Sequence, residues 1–212
     1  MAVSGRPVVE AAEAVLAGRL VVFPTDTVYG LGARPDDERA VARIFEAKGR
    51  DRSHALPVLV ATIDVARAVA SLDQRSDPLA RAIWPGALTL VLPRTGVSRT
   101  WALGGDGSTV AIRVPAHPLA LELLAKTGPV AVTSANRSGE PPCTTCHGLR
   151  ATFGDLVETY LCDEAPLEGA ASTVVDLAHG APTVLRRGGL TAGEIERFLP
   201  PGEPLLDSPP SP

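Results

Sequence analysis

The sequence predicts an α/β fold, a single domain in which a twisted, mixed β-sheet is flanked by helices. The chain has 212 residues, 45% hydrophobic and 21% charged, which is typical of a globular domain that buries its own core. Short apolar runs alternate with segments of helical period, the pattern of α/β proteins. Two connections are too short for parallel crossovers, so we expect antiparallel pairs among the strands.

The alternation assigns each element to a segment of the chain. The predicted strands are Leu20–Phe23, Leu56–Val60, Leu88–Leu92, Ser108–Val114, Val130–Val132, Val157–Leu161, Thr173–Leu177 and Thr183–Arg186. The predicted helices are Val8–Ala17, Glu38–Ala47, Ile63–Ala70, Pro78–Ile83, Leu119–Lys126, Cys143–Phe153 and Ala192–Phe198.

Local signals support several of these elements. Val8–Ala17 is amphipathic, and Gly18 can cap its end. Leu20–Phe23 is uniformly apolar, and Pro24 sets the exit of that strand. Trp84 begins a rigid Pro-Gly turn that leads into a buried strand, so we expect it to anchor the core.

Bulk properties limit the classes of function. The net charge of −4 argues against broad affinity for nucleic acid, although the arginines can still line a local cleft. Residues 1–6 lead straight into the first helix without a signal peptide, and no apolar run approaches the ~18 residues of a membrane span. Three cysteines, an odd number, favour free thiols and a cytoplasmic location.

The first candidate site segment follows the first strand. Thr25, Asp26 and Thr27 place short polar groups at the carboxyl end of that strand, where ligands of open α/β sheets gather. Lys48 and Arg50 then follow a helix, and such a cation pair suits a bound polyanion. A capped structural turn and a cation pair that complements the helix dipole are the alternative interpretations.

Arg113 is the second candidate, because it lies in an otherwise apolar strand. A buried arginine needs an anionic partner, which is either a ligand or a carboxylate of the protein. The two-residue period puts Thr109, Ala111 and Arg113 on one side of the strand. That side is typical of the floor of a polar site, and an internal salt bridge remains the alternative.

Three later segments add further polar groups. Thr133–Gly139 follows a strand and includes Ser134 and Asn136, and Ser172 directly precedes another strand. Arg186 ends a strand just before two glycines, a suitable place to hold a phosphate or a base. Polar turns without a function are the alternative for each segment.

The run Cys143-Thr144-Thr145-Cys146-His147 matches the attachment pattern of c-type haem. We expect neither haem nor a metal there. Haem attachment needs export, and a zinc site needs a second ligand pair at suitable spacing, for which only Cys162 and His179 remain.

Together these segments resemble the YrdC/TsaC family of threonylcarbamoyl-AMP synthases, in its short, single-domain form. The matching segments are Pro24–Gly32, Lys48–Arg50, Trp84–Leu92, Thr109–Pro115, Ser134–Gly139, Ser172–Asp176 and Leu185–Arg186, in the family's order. The resemblance implies a large concave basic cleft, with residues 1–199 as the catalytic domain. It also implies that L-threonine, bicarbonate and ATP are converted to threonylcarbamoyl-AMP and pyrophosphate, for modification of tRNA beside the anticodon. Residues 200–212 are rich in proline, and we expect them to be disordered or loosely draped.

Site roles follow from the same resemblance. Thr27, Arg113 and Ser172 are implied to bind threonine, with Arg113 on its carboxylate. Lys48 and Arg50 are the implied catalytic residues, which hold the ATP phosphates and the developing negative charge.

The nucleotide side of the site also follows from the resemblance. Thr109, Ser134, Asn136 and Arg186 are implied to bind the nucleotide. Magnesium is expected with ATP, held by phosphates and water more than by carboxylates. The proteins of the tRNA-threonylcarbamoyl transferase complex are the implied partners, and contact with tRNA itself stays open.

One segment departs from the family's pattern. After Arg50 the chain runs through Asp51, Arg52, Ser53 and His54 before Pro57, where the family commonly reads Asn or Lys into Pro-Leu. A nucleotide contact by His54 is therefore not carried over.

Two other functions compete with the synthase. A YrdC-like RNA-binding paralogue without synthase activity is the first. The second is a fragment of an O-carbamoyltransferase of hydrogenase maturation, although the zinc-finger and acylphosphatase-like additions expected there are not found in the sequence.

Overall fold

The computed structural model describes residues 6–163, 166–167 and 169–207. Its helices are α1 Arg6–Leu16, α2 Glu38–Lys48, α3 Ile63–Val69, α4 Ser76–Ile83, α5 Pro118–Thr127, α6 Cys146–Phe153 and α7 Ala192–Glu196. Its strands are β1 Val21–Phe23, β2 Gly30–Ala33, β3 Val58–Leu59, β4 Leu88–Pro93, β5 Thr109–Arg113, β6 Val130–Ser134, β7 Thr159–Tyr160, β8 Thr173–Asp176, β9 Thr183–Arg186 and β10 Leu206–Asp207.

The strands form a single mixed sheet in the order β10-β9-β8-β4-β5-β3-β6-β2-β1-β7. Four neighbouring pairs are parallel: β1 with β7, β9 with β10, β3 with β5, and β4 with β8. The other neighbours are antiparallel. The predicted α/β class and the mixed sheet are confirmed.

The two faces of the sheet are covered unequally. On the first face, α2, α3 and α4 pack on a large apolar cluster that includes Leu90, Ile112 and Val175. On the second face, α1 and α5 pack on a smaller cluster with Val21, Phe23 and other residues of β1, β3 and β6. Because β4, β5 and β8 contribute nothing to the second cluster, the second face is left open over these three strands.

β2 was not predicted from the sequence. Its four residues, Gly-Leu-Gly-Ala, include two glycines, which strands disfavour. The structure requires them: a Cβ at Gly30 would lie 2.7 Å from Val132 Cγ2, and one at Gly32 would lie 2.8 Å from Val130 Cγ1. The close approach of β2 to β6 therefore explains the composition of the strand.

The tail departs in part from the expected disorder. Leu206 and Asp207 form β10, which lies parallel to β9 at the edge of the sheet. A backbone hydrogen bond from Leu206 N to Pro182 O (2.8 Å) and an ion pair between Arg187 and Asp207 (2.5 Å) hold it there. Residues 208–212 lie outside the described residues.

Two of the three cysteines are bonded to each other, contrary to the expectation of free thiols. Cys146, the first residue of α6, forms a disulfide with Cys162, and Cys143 is free. The helix begins three residues later than predicted, because Thr145 Oγ1 accepts a hydrogen bond from Gly148 N and caps it.

Trp84 is buried, as expected of a core anchor, and its Nε1 donates to Leu88 O at 2.7 Å. Within the described part of the chain, no helix is long and apolar enough to cross a membrane.

Candidate functional site

A cavity of about 600 Å³ lies over the open part of the second face. Its floor consists of every second residue of β4, β5 and β8, because successive side chains of a strand point to opposite faces. The floor residues are Thr89, Val91, Thr109, Ala111, Arg113, Val174 and Asp176. The intervening Leu90 and Ile112 are buried in the core of the first face. The predicted division of β5 into an apolar side and a polar side is therefore confirmed.

The turn between β1 and β2 brings two hydroxyl groups to the cavity wall. Thr25 Oγ1 donates to Val28 O at 2.6 Å and accepts from Thr27 N and Val28 N, both at 3.2 Å. The hydroxyl oxygens of Thr25 and Thr27 are 3.0 Å apart. Because the proton of Thr25 is used, Thr27 donates in this pair, and its own oxygen can accept from another group.

Arg113 ends β5 with its side chain only 6% exposed. Its Nε donates to Gly86 O (2.8 Å), Nη1 to Thr27 Oγ1 (2.9 Å) and Nη2 to Asp26 Oδ1 (2.6 Å). Burial lowers the pKa of Arg113, and the Asp26 carboxylate opposes this shift. A guanidinium has five N–H donors, so an internal ion pair and a ligand contact are compatible at this residue.

Ser172 and Arg186 line the same cavity and bond to each other. Arg186 Nη2 donates to Ser172 O and to Ser172 Oγ, both at 2.9 Å. The hydroxyl oxygen of Thr89 lies 2.8 Å from Ser172 Oγ. Gly188 permits this arrangement, since a Cβ there would lie 2.2 Å from Ala171 O.

Lys48 is buried beside the turn that follows β6. Its Nζ lies 2.8 Å from Ser134 O, 3.2 Å from Ser134 Oγ, 2.9 Å from Asn136 O and 3.0 Å from Asn136 Oδ1. Burial and, to a smaller extent, the charge of Arg50 lower the pKa of Lys48 to about 8. An ammonium has three N–H donors, so these four acceptors can occupy all of them.

Arg50 reaches the cavity because Gly49 ends α2 in the left-handed conformation, at φ 64°. Arg50 Nη1 lies 3.3 Å from Thr133 Oγ1. Burial, followed by the charges of Arg113 and Arg50, lowers the pKa of Arg186. Arg186 is thus close enough to Arg113 and Arg50 to be repelled by both charges, and an anion in the cavity would relieve that repulsion.

The structure brings seven of the nine predicted site residues to this cavity. These are Thr27, Arg50, Thr109, Arg113, Ser134, Ser172 and Arg186. Lys48 and Asn136 are not among the described residues that line it. Both residues instead form hydrogen bonds with Ser134, which lines the cavity.

Several lining residues were not singled out from the sequence. Thr89 has the same strand alternation as Arg113, so the period of β4 could have identified it. His179 could not have been found in this way, since the turn after β8 brings it to the cavity. Thr133, the first residue of the candidate segment Thr133–Gly139, lies in β6 and also lines the cavity. His54 also lines the cavity, although a nucleotide contact by His54 was not carried over from the family's pattern.

The fold and the cavity define a class of protein, an α/β domain whose partly uncovered sheet face carries an arginine-rich ligand site. A family model for Sua5, YciO and YrdC, described as "Telomere recombination", matches residues 13–188. The chain therefore belongs to the Sua5/YciO/YrdC family.

Relatives with assigned names cover most of the chain. A protein of Mycobacterium tuberculosis (strain ATCC 25618 / H37Rv) is 45% identical over 92% of this chain and 89% of its own length. The threonylcarbamoyl-AMP synthase of Pyrococcus abyssi is 42% identical over 89% of this chain. The chain spans 56% of the length of that longer relative.

Solved structures show the same fold. The crystal structure of P. abyssi Sua5 complexed with L-threonine matches 95% of this chain and 59% of its own length, at a TM-score of 0.85 and 39% identity. Escherichia coli YciO matches 91% of this chain and 92% of its own length, at a TM-score of 0.81 and 26% identity. Full-length HypF, at 18% identity and a TM-score of 0.72, shows the fold alone.

Proposed function

We propose that this protein is an L-threonylcarbamoyladenylate synthase, a nucleotidyltransferase. It condenses L-threonine, bicarbonate and ATP to threonylcarbamoyl-AMP, pyrophosphate and water. The observation that carries the proposal is the cavity itself, in which Arg50, Arg113 and Arg186 surround a space of about 600 Å³ beside the hydroxyls of Thr27 and Ser172. The match to a relative whose structure contains L-threonine supports the same substrate for this chain.

The threonine end of the cavity is assigned to Arg113, Thr27 and Ser172. Three of the five N–H donors of Arg113 bond to Gly86 O, Thr27 Oγ1 and Asp26 Oδ1, which leaves two for a ligand carboxylate. The hydroxyl groups of Thr27 and Ser172 supply further polar contacts at this end. A charged carboxylate in a largely buried site is bound well only when such donors meet it.

The phosphate end is assigned to Arg50, Arg186 and Ser134. The two arginines present planar guanidinium groups that match phosphate oxygens, and Ser134 lies on the wall of the same cavity. Lys48 and Asn136 act on this end by holding the Ser134 turn, and the positive charge of Lys48 adds to the local potential. Thr109, on the cavity floor, completes the nucleotide side.

The reaction needs no covalent intermediate on the protein. The amino nitrogen of threonine attacks the carbon of bicarbonate, and loss of water gives a carbamate. A carbamate oxygen then attacks the α-phosphorus of ATP, and the bond from that phosphorus to the bridging oxygen of pyrophosphate breaks. The chain contributes positioning and stabilisation of negative charge, through Arg50 and Arg186.

The magnesium expected with ATP would be carried by the phosphates. Asp106 and Asp176 are the carboxylates among the described residues that line the cavity, and both accept hydrogen bonds within their own turns. No described group of three or more His, Cys, Asp or Glu residues could hold a metal ion. We assign contact with the Mg²⁺–ATP complex to the three arginines of the cavity, which would meet the phosphate oxygens.

We further propose that residues 1–199 form the catalytic domain and that the product passes to a tRNA-threonylcarbamoyl transferase complex, which modifies tRNA beside the anticodon. A cytoplasmic location follows from the use of ATP and the link to tRNA. Because Cys146 and Cys162 are bonded, the cysteines do not support that location.

The direct test is pyrophosphate release from ATP, with and without L-threonine and bicarbonate. We expect release only when both are present, and at least a hundredfold loss in Arg50→Ala, because a charge-stabilising contact is removed. Arg52→Ala is the matched control, since Arg52 is exposed and stacks on Phe45 outside the cavity. A folded protein that binds ATP but releases no pyrophosphate would instead support the RNA-binding paralogue.

A further inference from the structure

Asp26 lies beside the proposed threonine site without lining the cavity. One of its oxygens, Oδ1, accepts two hydrogen bonds, from Arg113 Nη2 at 2.6 Å and from Ala116 N at 2.8 Å. The side chains of Asp26 and Arg113 are 19% and 6% exposed. The carboxylate therefore connects the turn after β1 with the end of β5 and the segment that follows it.

The contacts of Arg113 leave its guanidinium little freedom. All three nitrogens donate to different partners: Nε to Gly86 O, Nη1 to Thr27 Oγ1 and Nη2 to Asp26 Oδ1. A planar group held at three corners cannot rotate without breaking a bond. Of the three partners, Asp26 alone is charged, so its bond is the strongest by type.

The negative charge of Asp26, considered alone, weakens the binding of an anion beside Arg113. A carboxylate within hydrogen-bond distance of Arg113 offsets that positive charge and repels a second carboxylate in the cavity. On electrostatics alone, threonine would bind more tightly without Asp26. Asp26 therefore increases the affinity for threonine only if the gain from a fixed Arg113 guanidinium is larger than the loss from this repulsion.

We propose that Asp26 is a positioning residue for the threonine site. It holds the Arg113 guanidinium so that the two remaining N–H donors stay available to the threonine carboxylate. This inference rests on the proposed function, and it adds a residue that makes no contact with the substrate.

Two substitutions separate positioning from electrostatics, because both remove the charge and only one keeps the acceptor oxygen. In Asp26→Ala, we expect the KM for threonine to rise about tenfold to a hundredfold, as a charge-assisted hydrogen bond is lost. In Asp26→Asn, the amide oxygen can still accept, so the increase should be smaller. The KM for ATP should change less than twofold in both. Equal decreases in the threonine KM for the two variants would overturn the proposal and favour simple repulsion.

Three controls make the outcome specific. Asp77→Asn removes a carboxylate of α4 that pairs with Arg67 of α3 and Arg81 of α4, and it should leave both KM values unchanged, because Asp77 is not among the described residues that line the cavity. In an Arg113→Lys background, Asp26→Ala should have little further effect, whereas a full additional loss would contradict action through Arg113. Melting temperatures identify any variant that does not fold. If Asp26→Ala does not fold, the threonine KM of Asp26→Asn tests the proposal.

Calorimetric titration with L-threonine alone distinguishes failure of this inference from failure of the proposed function. If the unaltered protein does not bind threonine, the proposed function fails together with the inference. If it binds threonine and Asp26→Ala binds equally well, only the positioning role of Asp26 is wrong.

Discussion

At the scale of single residues, the candidate site combines arginines that face the cavity with charged groups that bond to the protein around it. Arg50, Arg113 and Arg186 line the cavity, whereas Lys48 and Asp26 bond to protein groups around it. The sequence predicted a cation pair at 48 and 50 but could not separate these two roles. The difference depends on which acceptors surround each side chain, and those acceptors come from β6 and its following turn.

The state of Lys48 predicts an alkaline limit to activity. Its pKa is lowered to about 8, so the ammonium loses a proton as the pH rises through that value. The neutral amine has two N–H donors for four acceptors of Ser134 and Asn136, and the Ser134 turn loosens. We expect kcat/KM for ATP to fall above pH 8, as measured by a pH–rate profile.

Lys48→Arg serves as the comparison, because a guanidinium stays protonated throughout this range. In a folded, active Lys48→Arg variant, kcat/KM for ATP should no longer fall above pH 8. If it still falls there, a group other than Lys48 titrates.

At the scale of elements, β2 shows where residue propensity predicts the wrong structure. The glycines of β2 predict a loop, yet β2 is an internal strand that lies between β1 and β6. The glycines are present because β2 approaches Val130 and Val132 closely, a constraint that the sequence of β2 alone does not show.

Gly188→Ala should disturb the threonine end of the site without unfolding the protein. The new Cβ would lie 2.2 Å from Ala171 O and 2.4 Å from Ser172 C, so the backbone that carries Ser172 must move. We expect the threonine KM to rise at least fivefold with a modest loss of stability, of the order of 1–3 kcal/mol. Steady-state kinetics and denaturant titration measure the two effects.

Gly193→Ala is the matched control, because a Cβ there meets no atom within 4 Å. Loss of stability without any change in the threonine KM for Gly188→Ala would mean that Ser172 does not depend on this close approach.

At the scale of the whole molecule, one open region of a sheet face provides the space for the proposed site. α1 and α5 cover the second face over β1, β3 and β6, and the cavity occupies the rest. Three arginines and two aspartates are among the described residues that line the cavity, although the chain as a whole carries −4. We therefore expect local attraction for phosphates together with weak overall attraction for nucleic acid.

We expect the protein to show no saturable binding to an unrelated RNA at ionic strength of about 0.15 M, where surface attraction is screened. Filter binding with a labelled RNA measures this, and ATP binding under the same buffer shows that the protein is active. Micromolar affinity for the unrelated RNA would contradict the expectation and strengthen the RNA-binding alternative.

The α/β class, most of the strands and the polar side of β5 could be predicted from the sequence, because alternation of apolar residues is a local property that packing then follows. This alternation places Thr109 and Arg113 on the floor of the cavity, whereas the other predicted site residues were assigned their roles through the family resemblance. Three contacts are visible only in the folded chain: Asp26 with Arg113, Lys48 with Asn136, and Cys146 with Cys162. These are contacts between segments 16 to 88 residues apart, and no local pattern specifies which distant acceptor or thiol a side chain will meet.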